Sequence, residues 1–319
     1  MKKRIYIGNS SDRGIGILDF YSKNKSTIKY NNDEIKCTYF KKNKRNIYSV
    51  IEVSDENNQN EGYIVKYKIK NNMLIKQFKI TSGGKNPCCL DINSKQNLIA
   101  VGNYSDGKLI ILKENTKKNT NQLIYESKEK NAKIHCVKFL NRFLLVVDIG
   151  NDKIIIYKIL KNKINKIMEY KFAKGTEPRQ VEIKKNEIYI ITEKTHTLYI
   201  LKIQNGNIQI KQKIKIDCNN STGCALKLDR NNKTIYVTIR GENIICIYKK
   251  KNNKWVLVQK TSSYGELPWD ICIDKFSRYV YVANAKTKNI SIFLRNRISG
   301  RLKFCQNIKL EISPTCIQK

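Results

Sequence analysis

The sequence predicts an all-β chain: a seven-bladed β-propeller of four-stranded antiparallel blades, closed by its C-terminal strand joining the N-terminal blade. Three observations predict it. A strand motif recurs seven times at blade-like spacing. Four prolines each stand just before a strand. A last copy of the strand that precedes the motif is left over at the end of the chain.

The motif is a β-branched or aromatic run followed by a polar turn and a second strand. Its copies are Ile5–Asn9, Ile47–Ile51, Leu98–Asn103, Phe143–Asp148, Ile188–Glu193, Ile235–Arg240 and Val280–Asn284. Their starts are separated by 42, 51, 45, 45, 47 and 45 residues. Periods of about 40–50 residues with several short strands each mark propeller blades. A further strand follows each copy, as in Lys153–Tyr157 and Asn289–Phe293. Inner strands precede the copies and read Cys88–Ile92, His135–Phe139, Arg179–Ile183, Cys224–Leu228 and Trp269–Ile273. A weaker outer strand, such as Lys303–Ile308, completes four per blade. No stretch has helical periodicity.

Pro87, Pro178 and Pro268 each stand directly before an inner strand. Proline is tolerated at a strand start and excluded from a strand centre. Pro314 precedes Thr315–Gln318, an inner strand with nothing after it, while the copy at Ile5 has none before it. Residues 315–318 are therefore expected to complete the first blade. Closure by both termini removes the free edges that an open stack of β-meanders would expose. The whole chain, 1–319, is expected to be one domain.

No apolar run approaches twenty residues, so no membrane span is expected. Met1-Lys2-Lys3-Arg4 is basic, but Ile5–Ser11 is strand-like and not a signal core. The expected location is the cytoplasm. The ten cysteines form no CxxC pair and His occurs only at positions 135 and 196. That disfavours a structural zinc site and suits reduced, buried thiols.

The formal charge is +35, from 62 Lys and Arg against 27 Asp and Glu. One reading is an electrostatic footprint for nucleic acid or an anionic membrane. The other is compositional drift toward the A/T-rich codons of Lys, Asn and Ile. The stretches 41–46, 117–119 and 249–254 carry much of the excess and fall where turns are expected. No aromatic residues interleave them as a stacking platform would require. In either reading a positive chain attracts anionic substrates.

In a blade, the start of the inner strand and the end of the next strand meet at one mouth of the channel. Inner-strand starts carry Cys88, His135, Arg179, Cys224 and Trp269; second-strand ends carry Glu52, Asn103, Asp148, Glu193 and Arg240. His135, Arg179, Glu193 and Arg240 stand out, a histidine and three charged residues from the fourth to sixth blades. Each alone could be a solvated or ion-paired surface residue. Asp148 reads more readily as a turn cap. His196 lies in a strand-to-strand turn and is expected to face solvent.

These segments resemble the propeller-type lactonase family, which includes seven-bladed bacterial 6-phosphogluconolactonases and fungal carboxymuconate-lactonising enzymes. The resemblance covers nearly the whole chain. Ile5-Tyr6-Ile7-Gly8 resembles the family's opening strand. Asn86-Pro87-Cys88 with Val101–Gly107 resembles P-C/S…ANY-x-G, and Val147–Asp152 resembles D-L-G-x-D. Glu177-Pro178-Arg179-Gln180 resembles G-P-R-H, and Ile239-Arg240-Gly241 the end of S-N-R-G. Leu267-Pro268-Trp269-Asp270 resembles F-P-R-D, and Ser299–Leu302 the T-G-x-L turn. The family's proposed site maps onto His135, Arg179, Glu193 and Arg240. Two positions depart from the pattern: Gln180 replaces the His of G-P-R-H, and Trp269 replaces the Arg of F-P-R-D. Gln180 and Trp269, with Asn103 and Asp148, are expected to contact substrate.

Lactone hydrolysis needs a base to activate water and donors for the developing oxyanion. Glu193 and His135 are the candidate acid–base pair. Arg179 and Arg240 could hold an oxyanion or clamp a phosphate. The resemblance implies 6-phospho-D-glucono-1,5-lactone as substrate and a place in the pentose phosphate pathway, with no metal or cofactor. No specific nucleic-acid or membrane partner is expected, and the oligomeric state is open, with a monomer as the default. Rival readings are a non-catalytic binding scaffold, a cycloisomerase using the same residues, and a nucleic-acid-binding protein.

Overall fold

A computed structural model describes residues 3–22, 25–53, 60–115, 120–160 and 163–319. Its strands run in chain order as follows. First come β1 (Lys3–Asn9), β2 (Ile15–Ser22) and β3 (Lys25–Asn31), then β4 (Tyr39–Asn43), β5 (Asn46–Ile51), β6 (Tyr63–Lys70) and β7 (Met73–Thr81). Next are β8 (Pro87–Asn93), β9 (Leu98–Asn103), β10 (Lys108–Asn115) and β11 (Thr120–Lys128), followed by β12 (Ile134–Leu140), β13 (Phe143–Asp148), β14 (Lys153–Leu160) and β15 (Lys163–Lys171). Then come β16 (Pro178–Lys184), β17 (Glu187–Thr192), β18 (Thr197–Gln204) and β19 (Asn207–Lys215). β20 (Thr222–Leu228), β21 (Thr234–Arg240), β22 (Ile244–Lys251) and β23 (Lys254–Ser262) follow. The last are β24 (Pro268–Ile273), β25 (Tyr279–Asn284), β26 (Asn289–Arg295), β27 (Leu302–Lys309) and β28 (Pro314–Gln318).

These strands make seven four-stranded sheets. Six are consecutive sets, β4–β7 through β24–β27; the seventh has the order β28-β1-β2-β3. All four prolines open inner strands, as expected. The predicted seam is present: Tyr6 pairs with Gln318 and Ile7 with Ile317, antiparallel. Asp270 secures it by accepting the Ile317 N–H at 2.9 Å.

The chain divides into two compact units. The first comprises Met1–Asn32, Gln180–Ile203 and Gln209–Lys319; the second comprises Asp33–Arg179 and Gln204–Ile208. In the first unit, apolar side chains pack between neighbouring sheets. Ile5, Ile7 and Leu18 meet Tyr281, Ile290 and Ile292. Tyr189, Ile191 and Ile200 meet Ile235, Val237 and Trp255. The second unit repeats the scheme, with Val50 and Ile64 against Leu90 and Ile99, and Ala100 and Ile111 against Val137 and Leu144. A middle strand is thus covered on both faces and reads as an unbroken apolar run, as in Leu98–Asn103, which is buried throughout. Outer strands alternate. β15 exposes lysines on an unpaired edge, which discourages edge-to-edge association.

Two charged stretches expected in turns are partly strand. Lys41 and Lys42 belong to β4, an inner strand missed in the sequence, and Lys41 pairs with Asp91 at 3.2 Å. Lys249–Lys251 end β22 and Lys254 opens β23. The turn itself needs only Asn252 and Asn253, both at positive φ (45° and 63°), which suits a tight two-residue hairpin. Lys117–Asn119 and Met1–Lys2 lie outside the described residues. The ten cysteines are free thiols, seven of them buried. No helix among the described residues is long and apolar enough to cross a membrane.

One ion cluster on β17 gives a pH-dependent contribution to stability. Burial acts to raise the Glu187 carboxyl, but hydrogen bonds from Lys211 and Tyr189 and the charge of Lys250 outweigh it, bringing it down from 4.5 to about 2. A carboxylate depressed on folding stabilises the fold above its unfolded pKa, and that contribution fades as pH falls toward the folded value. Glu187→Gln should therefore melt below the parent at pH 7, and the gap should narrow between pH 4.5 and pH 2. A gap independent of pH would show that the charge of Glu187 is not what stabilises.

Candidate active site

Side chains at the inner-strand starts are aimed by β-bulges. Between β12 and β13, Ile134 pairs with Asp148 and Cys136 with Val147, leaving His135 out of the ladder. Between β24 and β25, Pro268 pairs with Asn284 and Asp270 with Ala283, leaving out Trp269. Cys88 is skipped in the same way between β8 and β9. A bulge inserts one residue against none on the partner and re-aims its side chain. The period-two pattern of the sequence carries no sign of this shift.

In the first unit, three sheets contribute to one cluster. Glu193 directly follows β17, and its carbonyl accepts the Gly223 N–H at 2.9 Å. Arg240 ends β21. Its Nη2 donates to Glu193 Oε1 at 2.7 Å and its Nε to Thr222 Oγ1 at 3.0 Å. The guanidinium carbon lies 4.8 Å from the centre of the Trp269 ring. Arg240 is thus oriented by an ion pair, a hydroxyl and an aromatic face, an arrangement open to Arg and closed to Lys. Side-chain exposure is 11% for Arg240 and 26% for Glu193, so the pair is shielded yet reachable. Two of the five guanidinium donors are committed to this frame, leaving three to meet an anionic oxygen. Trp269 therefore does more than remove a positive charge: it lies against the remaining one.

Gln180 uses its amide oxygen within the fold. Its Oε1 accepts the Leu226 N–H at 2.6 Å, tying β16 to β20. Asp270 has the same place after its proline and makes the same tie to Ile317. Cys224 donates from Sγ to the Trp269 carbonyl at 3.2 Å. His196 is half-buried in its turn, with φ of 46°.

In the second unit, His135 is half-buried and meets the Tyr104 ring edge to face, with centroids 6.0 Å apart. Arg179 is buried, only 4% exposed. Asn103 and Asp148 are both fully buried, and their side chains hold turns. Asn103 Nδ2 donates to the carbonyls of Ser82 and Lys108 at 3.3 and 3.4 Å. Asn9 and Asn284 end the equivalent strands β1 and β25 and likewise donate to turn carbonyls, so this asparagine belongs to the repeat. Asp148 accepts the Lys133 and Asn151 N–H groups at 2.9 and 3.2 Å, and Asn151 Nδ2 at 2.8 Å. Asn103 Nδ2 and the Asp148 carboxylate are thus engaged in holding turns, while Asn103 Oδ1 is buried with no hydrogen-bond partner among the described residues. Cys88 donates to the Ile134 carbonyl at 3.3 Å, as Cys224 does to Trp269. Glu52, burdened by burial, has its carboxyl raised, against the opposing charge of Lys36. No group of metal-ligating side chains occurs among the described residues.

Residues 4–319 match the family described as "Lactonase, 7-bladed beta-propeller". A 6-phosphogluconolactonase of Formosa agariphila is 26% identical over 337 residues, covering 94% of each chain. A 6-phosphogluconolactonase of Bacillus subtilis is 22% identical over 307 residues, covering 88% of this chain and 86% of its own. Among solved structures, the periplasmic gluconolactonase of Pseudomonas aeruginosa superposes with a TM-score of 0.88 at 17% identity. It covers 100% of this chain and 99% of its own, and it shares the fold.

Proposed function

Because the chain belongs to the lactonase family of seven-bladed β-propellers, we propose that it hydrolyses a sugar lactone, 6-phospho-D-glucono-1,5-lactone, to the open acid. The observation that carries this is the Glu193–Arg240 pair, a carboxylate and an oriented guanidinium at 2.7 Å at strand ends. Both full-length relatives named above are 6-phosphogluconolactonases, which supports the choice of substrate. The net charge of +35 favours the approach of an anion.

In this reading Glu193 takes a proton from water as its oxygen attacks the lactone carbonyl carbon. The free N–H groups of Arg240 meet the oxyanion that develops there. The ring C–O bond then breaks, and the departing oxygen takes up a proton. We assign the acid role to His135 and a further anion-holding role to Arg179. Trp269 and Thr222 keep Arg240 in one orientation, which a preorganised oxyanion donor requires.

The test is direct. Purified protein should open the phosphorylated lactone well above the spontaneous rate, with saturation. A rate equal to the spontaneous one, with this lactone and with its unphosphorylated counterpart, would remove the hydrolase reading and leave a binding scaffold.

A further inference from the structure

The second unit carries a cleft of about 660 Å³ that no residue of the proposed chemistry lines. Three linkers build it. Lys85 precedes β8, Tyr104–Asp106 form the turn between β9 and β10, and Lys133 precedes β12. The linkers are fastened to one another. Tyr104 N–H donates to the Asn86 carbonyl at 2.9 Å, Ser105 N–H to the Lys85 carbonyl at 3.3 Å, and Asn86 Nδ2 to Ser105 Oγ at 2.7 Å. Gly107, at φ 68°, closes the turn so tightly that a Cβ would lie 2.2 Å from the Ala132 carbonyl oxygen. The cleft is therefore preformed.

Its charges are sorted. Lys108 is committed, to Glu126 at 3.1 Å and to the Gly83 carbonyl at 3.2 Å, and Asp106 and Glu61 add their negative charge around it. Among the described residues, Lys85 and Lys133 are in no ion pair. Lys85 is half-buried, and the Lys133 ammonium stands 5.4 Å from the Tyr104 ring centre. The lining thus offers two ammonium groups that are in no ion pair, together with carboxylates that can accept from hydroxyl groups. An anionic head on a hydroxyl-bearing skeleton suits that combination. Tyr104 joins the cleft to His135, whose ring it meets edge to face.

We propose that this cleft binds the phosphate of a phosphorylated sugar through Lys85 and Lys133. For the identity of the sugar the inference rests on the lactonase reading; for the site itself it does not. The probe is 6-phosphogluconate, with gluconate as the control, titrated calorimetrically into the full chain. The parent should bind the phosphorylated acid far more tightly than gluconate. Lys85→Ala/Lys133→Ala should lose at least about tenfold for the phosphorylated acid only, since a hydrogen bond to a charged group contributes about 1.5–3 kcal/mol and tenfold is about 1.4 kcal/mol. Lys133→Arg should retain most of the affinity. If the double variant binds 6-phosphogluconate as the parent does, the cleft proposal is overturned, whether or not the protein opens lactones. If lysine-dependent binding is found in a protein that opens neither lactone, the cleft stands and the hydrolase reading falls.

Discussion

Glu193→Gln should lower catalysed lactone opening by about 10²–10⁴-fold, the usual contribution of a general base, while the chain stays folded. Glutamine keeps an oxygen that can accept from Arg240 where Glu193 Oε1 now does, at 2.7 Å. It cannot take up a proton from water. The ion pair is partly open to solvent, so its loss should cost stability no more than about 1 kcal/mol. The two effects can therefore be separated by measuring kcat/KM and the thermal midpoint on one preparation. A folded Glu193→Gln protein with the parent rate would take the carboxylate out of the chemistry and return Glu193 to the role of a partner that orients Arg240. The same pair of measurements on Arg240→Lys tests the guanidinium fork, because lysine keeps the charge and loses the geometry that Thr222 and Trp269 define.

The repeat was legible because each blade must bury its middle strands on both faces. Runs such as Ile235–Arg240 and Val280–Asn284 then recur as unbroken apolar segments at a fixed spacing. The prolines were legible because only a strand start accepts them, and all four open inner strands. The strand β4 was not legible. Of its five residues only Phe40 is buried, and Lys41 looks like a turn residue until Asp91, fifty positions later, is seen beside it. Position at a strand start or end was readable; the use made of each side chain was not. Gln180 and Trp269 both read as departures from the family pattern near a strand start, yet the Gln180 amide oxygen is spent on the Leu226 N–H. Asn103 shares its place with Asn9 and Asn284, which recur at strand ends in other blades and donate to turn carbonyls in the same way. The bulges that free His135 and Trp269 leave no trace in hydrophobic alternation, since a one-residue shift at a strand end changes no buried face beyond it. The cleft at Lys85 and Lys133 was hidden for another reason. Its lysines lie 48 residues apart in linkers, and the sorting of charge around Lys108 exists only once the linkers are fastened together.

Stability and chemistry should separate most sharply at Arg295. This residue ends β26 and is buried with Asp229, their side chains 3% and 4% exposed. Its Nη2 donates to Asp229 Oδ2 at 2.6 Å and to Thr234 Oγ1 at 3.2 Å, and its Nε donates to the Tyr236 hydroxyl at 2.6 Å. Tyr236 passes the chain on by donating to the Gly300 carbonyl at 2.7 Å. Burial lifts the Tyr236 hydroxyl to about 12, against the opposing charge of Arg295, so it is a donor at any physiological pH. With Nη1 donating to the Ser277 carbonyl at 3.3 Å, three turns are tied to one guanidinium, one of them through Tyr236. Removing one partner of a buried pair costs about 3–5 kcal/mol, because the other charge is left without compensation. Arg295→Met should lower the denaturant midpoint accordingly. Arg295→Met/Asp229→Asn should recover part of the loss, since the stranded carboxylate is then gone. The network lies at the start of β21, at Thr234, whereas Arg240 ends the same strand, six steps of about 3.3 Å away. The folded fraction of Arg295→Met should therefore keep the parent kcat/KM. A variant that loses activity in proportion to nothing but its unfolded fraction would place the ion network wholly in the scaffold; loss of kcat/KM in the folded protein would mean that strand β21 transmits strain from one end to the other.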